Sequence, residues 1–444
     1  MKVNVKPKQS FTHEGAPSKK ITPEQQLRRS VMSCLLWEKE FYEEGESIAD
    51  RILESASKCS PEFVAQTATE SRNKFHLRHV PLLLLKSLAY RDMQNRSMVA
   101  DAVFKTISRP DEMGELISMI IGGSDKRVTK NKIPRQVRVG IARAFEKFDA
   151  YQLGKYNRQQ DGVTLRDVLF IAHPKPKDDK QAGIWKKLAN NQLESPDTWE
   201  VALSAGADKK ETFERLIRGG KLGYLALLRN LRGMLESGVD DDLIKASLLA
   251  RGGADRVLPF RFIAAAKHAP RLEAHIDQAM TEALGDMPKL PGKTLLMVDV
   301  SGSMDDPLSS KSDITRLDAA CGLAILLRGV CEDVRIITFS YQAVEIPPRQ
   351  GMALRDAILK SQPHGGTDLA GAVRLANSIP HDRLVVISDE QANGRVPDPV
   401  AKLAYMLNVA SYQNGIGYHR WVHVDGFSEA CVSFIREHEL TLDQ

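Results

Sequence analysis

The chain has 444 residues, a formal net charge of +5, 42% hydrophobic and 27% charged side chains, the balance of an ordinary globular protein of two or three domains. No stretch approaches the roughly 18–20 uncharged apolar residues of a membrane helix, and residues 1–21 carry basic side chains without an apolar core, so they read as a flexible tail rather than a secretory signal. The five cysteines, Cys34, Cys59, Cys321, Cys331 and Cys431, lack C-x-x-C pairing, which sets aside zinc and redox motifs and points to a reducing, cytoplasmic setting.

From residue 22 to 290 the apolar residues keep helical spacing and strand-like alternation is nearly absent, which predicts an all-α domain. Thr22-Pro23-Glu24 and Ser60-Pro61-Glu62 each place a capping hydroxyl before a proline at the first helical position, and Gly122-Gly123 and Gly219-Gly220 mark stops. Stretches such as ESIADRILESASK, HVPLLLLKSLAYR, QVRVGIARAFEKF and LGYLALLRNLRGML span three or four turns with one apolar stripe. Many such helices joined by short connections predict an α-solenoid of stacked pairs rather than a four-helix bundle.

Within this region Lys126, Arg127, Lys130, Lys132, Arg135, Arg138, Arg143, Lys147, Lys155 and Arg158 are set against only Glu146 and Asp149. Arg135 and Arg138 share one helix face, with Arg143 near it two turns on. Such a strip can neutralise several phosphates of a nucleic acid, and a solvated helix face is the alternative.

At Pro291-Gly292 the pattern changes. TLLMVDV, DVRIITFS, RLVVISD, AYMLNVA and RWVHVDG are short β-rich runs that alternate with helical segments such as ITRLDAACGLAILLRGV and TDLAGAVRLANSI. Strands buried on both faces and alternating with helices predict an α/β domain over 291–444 with a mostly parallel, doubly wound sheet. This part holds 14 basic and 19 acidic residues, so the preceding 290 carry about +10 of the chain's charge and are the part expected to meet a polyanion. At the end of its first strand stands Asp299-Val300-Ser301-Gly302-Ser303, later come Gly365-Gly366-Thr367-Asp368 and Asp389, and all three segments fall at one sheet edge. Asp299, Ser301, Ser303, Thr367 and Asp389 offer only hard oxygens and cannot fill six positions alone, which suits Mg²⁺ or another divalent cation that keeps waters and leaves one position for an acidic partner. A plain strand-to-turn transition is the alternative reading of DVSGS. A phosphate loop is set aside because G-x-G-x-x-G and G-x-x-x-x-G-K-[ST] are missing.

These five positions resemble the metal-ion-dependent adhesion site (MIDAS) of von Willebrand factor A domains. RNKFHLRHVPLLLL, LRDVLFIAHPKP, YLALLRNLRGM and LPFRFIAAAK resemble the TROVE module of the Ro autoantigen family, which precedes an A domain there. The resemblance implies a HEAT-like solenoid closed into a ring, followed by a Rossmann-like A domain. It implies a ribonucleoprotein scaffold that takes small structured non-coding (Y-like) RNA on its outer face and misfolded RNA with a single-stranded 3′ end through a central hole. It also implies an exoribonuclease or another protein as partner at the metal site. His173 of FIAHPKP matches the family's RNA-contacting histidine, with Lys175 beside it a further RNA-binding candidate, and a helix-end capping histidine is the alternative for His173. Lys155 and Arg158 match a nearby basic pair, in a segment one residue longer than the family's. The competing expectation is a metal-dependent adhesion module assembling with an ATPase. An enzyme is not expected, because no second carboxylate cluster accompanies the five ligands.

Overall fold

A computed structural model of the chain describes residues 10–11, 17–18, 22–31, 45–75, 77–91, 95–122, 132–157, 162–194, 196–254, 257, 259–308, 314–392, 394–410, 420–426 and 429–442. Lys126, Arg127, Lys130 and Arg158 of the basic strip lie outside these residues, as do Cys34 and His76. Within the stretch read as a tail, β1 (Ser10–Phe11) pairs antiparallel with β2 (Pro17–Ser18). Among the described residues no helix is long and apolar enough to cross a membrane.

The chain forms two compact units. One comprises residues 49–201 together with 26–31. Its helices follow α1 (Pro23–Ser30) and α2 (Gly45–Lys58), and are α3 (Pro61–Asn73), α4 (His79–Ala89), α5 (Ser97–Thr106), α6 (Pro110–Ile121), α7 (Arg135–Phe145), α8 (Ala150–Tyr156), α9 (Leu165–Ala172) and α10 (Asp179–Ala189). The expected punctuation is present: the Ser60 hydroxyl accepts from the Phe63 amide at 3.2 Å, and Gly122 ends α6 in the left-handed region at φ 79°. Helices pack on the next but one in sequence, α3 on α5, α4 on α6 and α5 on α7, as stacked pairs do. The α5–α7 contact depends on Gly140, where a Cβ would stand 2.6 Å from the Val103 Cβ. On α7, Val137, Gly140, Ile141, Ala144 and Phe145 form the buried stripe, which directs the opposite, basic face outward.

The other unit takes in residues from 202 onward. After α11 (Trp199–Ser204) come α12 (Lys209–Arg218), α13 (Tyr224–Glu236), α14 (Asp241–Ala250), α15 (Pro259–His268) and α16 (Glu273–Gly285). A six-stranded sheet follows, built from β3 (Leu290–Asp299), β4 (Cys331–Phe339), β5 (Ala343–Ile346), β6 (Arg383–Ser388), β7 (Leu403–Asn408) and β8 (Val422–Asp425). The strand order is β5-β4-β3-β6-β7-β8, parallel except for β5, a short antiparallel edge strand that the sequence reading did not anticipate. Four more helices cover the sheet: α17 (Arg316–Val330), α18 (Gly351–Leu359), α19 (Leu369–Asn377) and α20 (Glu429–Leu442).

One face of the sheet packs Leu295, Met297, Ile337 and Phe339 against Leu369 and Val373 of α19. On α17 nearly every side chain is buried, because β3 and β6 lie on one side and α15, α16 and α18 on the other. That is why its sequence is apolar all round rather than striped. The compact unit therefore begins well before the change of sequence pattern at 291.

Candidate metal centre and basic face

The strand order reverses at β3, with β4 on one side and β6 on the other, so the crevice at the carboxyl ends of β3 and β6 is the place where an open α/β sheet presents a site. Asp299 ends β3 and Asp389 follows β6; both side chains are fully buried. The 301–305 turn crosses the crevice: the Ser301 amide donates to Asp299 Oδ1 at 2.9 Å, and the Ser303 hydroxyl donates to Asp389 Oδ2 at 2.7 Å. The two serine hydroxyls stand 3.3 Å apart. The loop bearing Thr367 is pinned on both sides of that residue. Gly302 donates its N–H to the Gly365 carbonyl at 2.7 Å, and the Asp368 N–H reaches the Ser340 carbonyl at 2.8 Å. The sheet edge thus joins Asp299, Ser301, Ser303 and Asp389 directly and brings the Thr367 loop against the same turn.

Burial, and then the neighbouring Asp389 carboxylate, push the Asp299 carboxyl up to about 7. Two buried carboxylates surrounded by hydroxyls, with no Cys or His in the set, fit a hard divalent cation such as Mg²⁺ or Mn²⁺. Three further groups belong to the centre and carry no motif signature. Ser388, immediately before Asp389, donates to Asp299 Oδ2 at 2.7 Å. Buried Arg316, at the start of α17, donates to the Ser303 carbonyl at 3.1 Å and lies 3.9 Å from Asp389 Oδ2. His364 pairs with Asp305 at 2.8 Å and so ties the two loops together. Above them Tyr341, 76% exposed, lies over Gly365 and Gly366, where Cβ atoms would sit 2.1 and 2.6 Å from its ring.

The basic residues of the helical unit divide into two sets. Arg143 pairs with Asp101 at 2.6 Å and covers the Phe104 ring, and Lys147 donates to the Phe104 and Ile107 carbonyls. Burial lowers the Lys147 ammonium below its ordinary value. These two cations hold α7 to its neighbours. Arg138, half-buried, donates to the Ile133 carbonyl at 3.1 Å. Lys132, Arg135, Lys155, His173 and Lys175 are exposed. His173 is also the left-handed C-cap of α9 (φ 49°), its N–H bonded to the Leu169 carbonyl at 3.0 Å. The capping alternative therefore describes its backbone while its imidazole faces solvent.

Two family models match the chain, a TROVE domain over residues 176–286 and a von Willebrand factor type A domain over 294–392. Telomerase protein component 1 of Rattus norvegicus is 35% identical over 108 residues, and that of Mus musculus 34% over the same length. The matched part is 23% of this chain and only 4% of each of those relatives. Among solved structures, the Deinococcus radiodurans RO (RSR) protein superimposes over 94% of this chain and 100% of its own, with a TM-score of 0.65 at 18% identity. At that identity the likeness speaks for the fold.

Proposed function

We propose that this chain, which joins a TROVE domain to a von Willebrand factor type A domain, is an RNA-binding scaffold rather than a catalyst. The observation that carries the reading is the exposed basic surface of the helical unit: Lys132 just before α7 and Arg135 at its start, with Lys155, His173 and Lys175 also open to solvent. Small structured non-coding RNA of the Y-like kind is the ligand proposed for this face, and misfolded RNA, taken by its single-stranded 3′ end through a central hole, is the second ligand. Lysine and arginine contacts to phosphate give affinity without sequence preference, and that affinity falls as salt rises.

The metal centre has a separate task. Asp299, Ser301, Ser303, Thr367 and Asp389 would hold one Mg²⁺ or similar ion, which when bound offers an open position to a carboxylate of a protein partner such as an exoribonuclease. Arg316 and Ser388 fix the carboxylates, and His364–Asp305 holds the loops in register.

Filter binding of a structured RNA tests the reading. Affinity should fall by orders of magnitude between about 50 and about 200 mM salt, and the double variant Lys132→Glu/Arg135→Glu should weaken it at least about tenfold. Arg143 and Lys147 are left untouched because they support packing. Salt-insensitive binding, or a double variant that binds like the parent, would remove the RNA-binding assignment of this face.

A further inference from the structure

The pair α13 and α15 pack on each other, and a cavity lies along the seam between them. On α15, Arg261, Ala264, Ala265 and His268 follow the i, i+3, i+4, i+7 spacing of one helix face. The two alanines in the middle leave room that a leucine would occupy. Opposite them Arg229 and Arg232 lie one turn apart on α13, above buried Leu228. The result is a cavity of about 400 Å³, within the range of small-ligand sites.

The cavity has an apolar floor, Leu228 and Ala265, and is lined by three arginines and one histidine; among the described residues its lining includes no carboxylate. Two of the guanidiniums are held from outside it. Arg232 Nε bonds Glu236 at 2.9 Å, and the Arg261 head lies 4.7 Å from the centre of the Phe260 ring. Planar forks lining one concavity suit phosphate oxygens better than a point charge would. A phosphodiester brings one negative charge, whereas a terminal phosphomonoester approaches two and presents three acceptor oxygens.

We propose that the cleft between α13 and α15 takes the terminal phosphomonoester of a nucleotide, the phosphate held by Arg229, Arg232 and Arg261 and the adjoining nucleoside lying on Leu228, Ala264 and Ala265. Its source as the end of an RNA strand rests on the RNA-binding reading above; a free nucleoside monophosphate offers the same chemistry.

Fluorescence anisotropy on the full chain separates these cases, with labelled hexanucleotides bearing a 3′-phosphate, a 5′-phosphate or neither. A terminal phosphate should tighten binding at least about tenfold. Arg229→Gln/Arg261→Gln should abolish that gain, and so should Ala264→Trp, which fills the cavity and keeps every charge; circular dichroism checks that both variants stay folded. Displacement of the phosphorylated strand by adenosine monophosphate assigns the site to free nucleotides as well, and lack of displacement assigns it to strand ends. Equal affinity of phosphorylated and unphosphorylated strands, or a full gain kept in folded Ala264→Trp, overturns the cleft while structured-RNA binding through α7 still stands. Binding of the monophosphate by a chain that retains no structured RNA would instead overturn the RNA-binding reading and support the cleft.

Discussion

Asp299 illustrates how one side chain can link stability, pH and metal. In the folded chain its carboxyl titrates near 7, while an unfolded aspartate titrates near ~3.9. The folded state therefore keeps a proton that the unfolded chain has released, so in the metal-free protein the contribution of this one group is fully present below about pH 4 and is lost as pH rises through 7. A divalent cation bound there would replace the proton. Thermal denaturation should show a larger rise in Tm on adding Mg²⁺ at about pH 8 than at about pH 5. Asp299→Asn should lose the metal-dependent rise and flatten the pH dependence; a rise that persists in this variant would place the ion elsewhere. The glycines beneath Tyr341 give a second check at this scale. Gly365→Ala should displace the Tyr341 ring and weaken Mg²⁺ binding measured by calorimetry, and Tyr341→Ala in the same chain should restore it, because the clash is with that ring.

Among the elements, α17 carries the most consequential polar contact. Asp318 accepts from the Thr315 hydroxyl and amide at its own N-terminus, from Lys267 of α15, and from Arg355 of α18 at 3.1 Å. Burial alone would raise its carboxyl, but the Lys267 and Thr315 hydrogen bonds and the two cations hold it below the usual range. A depressed folded value contributes stability that is fully present above the unfolded value near ~4 and is lost as pH falls from there through the lower folded value. Asp318→Asn should cost about 2–3 kcal/mol in urea unfolding at neutral pH, less than a fully buried pair because Lys267 and Arg355 are partly exposed. No loss of stability would mean that the three helices are held by apolar packing alone.

This node also shows what was legible from sequence. The DVSGS turn, Thr367 and Asp389 could be placed at one edge because strand-helix alternation fixes which ends of parallel strands meet. The β5 edge strand carries too short a signal: AVEI is only four residues, and with only Ile346 buried it shows no hydrophobic period. Lys267 carries no sequence signal because its partner Asp318 lies 51 residues along the chain, and Arg316 carries none because nothing in local spacing reveals a charge that is buried by packing. The basic strip was readable as composition, but only the packing of α7 on α5 distinguishes Arg143 and Lys147, which hold helices together, from Lys132 and Arg135, which face solvent.

For the whole molecule, the sequence pattern divides at 291 while the packing divides near 202. Gly322 and Gly329 of α17 let Phe260 of α15 and Leu284 of α16 approach until added Cβ atoms would sit 3.1 and 2.9 Å away. A fragment of residues 291–444 would leave that face of α17 bare, so it should aggregate on expression, whereas residues 202–444 should remain monodisperse by size-exclusion chromatography. A monodisperse 291–444 fragment with a sharp thermal transition would show that the sheet does not need these helices.

The same interlocking sets an order of events during synthesis. Phe260 and Leu284 leave the ribosome before α17 exists, and at about 5–20 residues per second the helix that covers them is completed only several seconds later. For that interval the nascent chain presents an apolar surface that its own sequence will later conceal, which makes this stretch the natural substrate for a co-translational chaperone and a point where slowed translation would cost yield of folded protein.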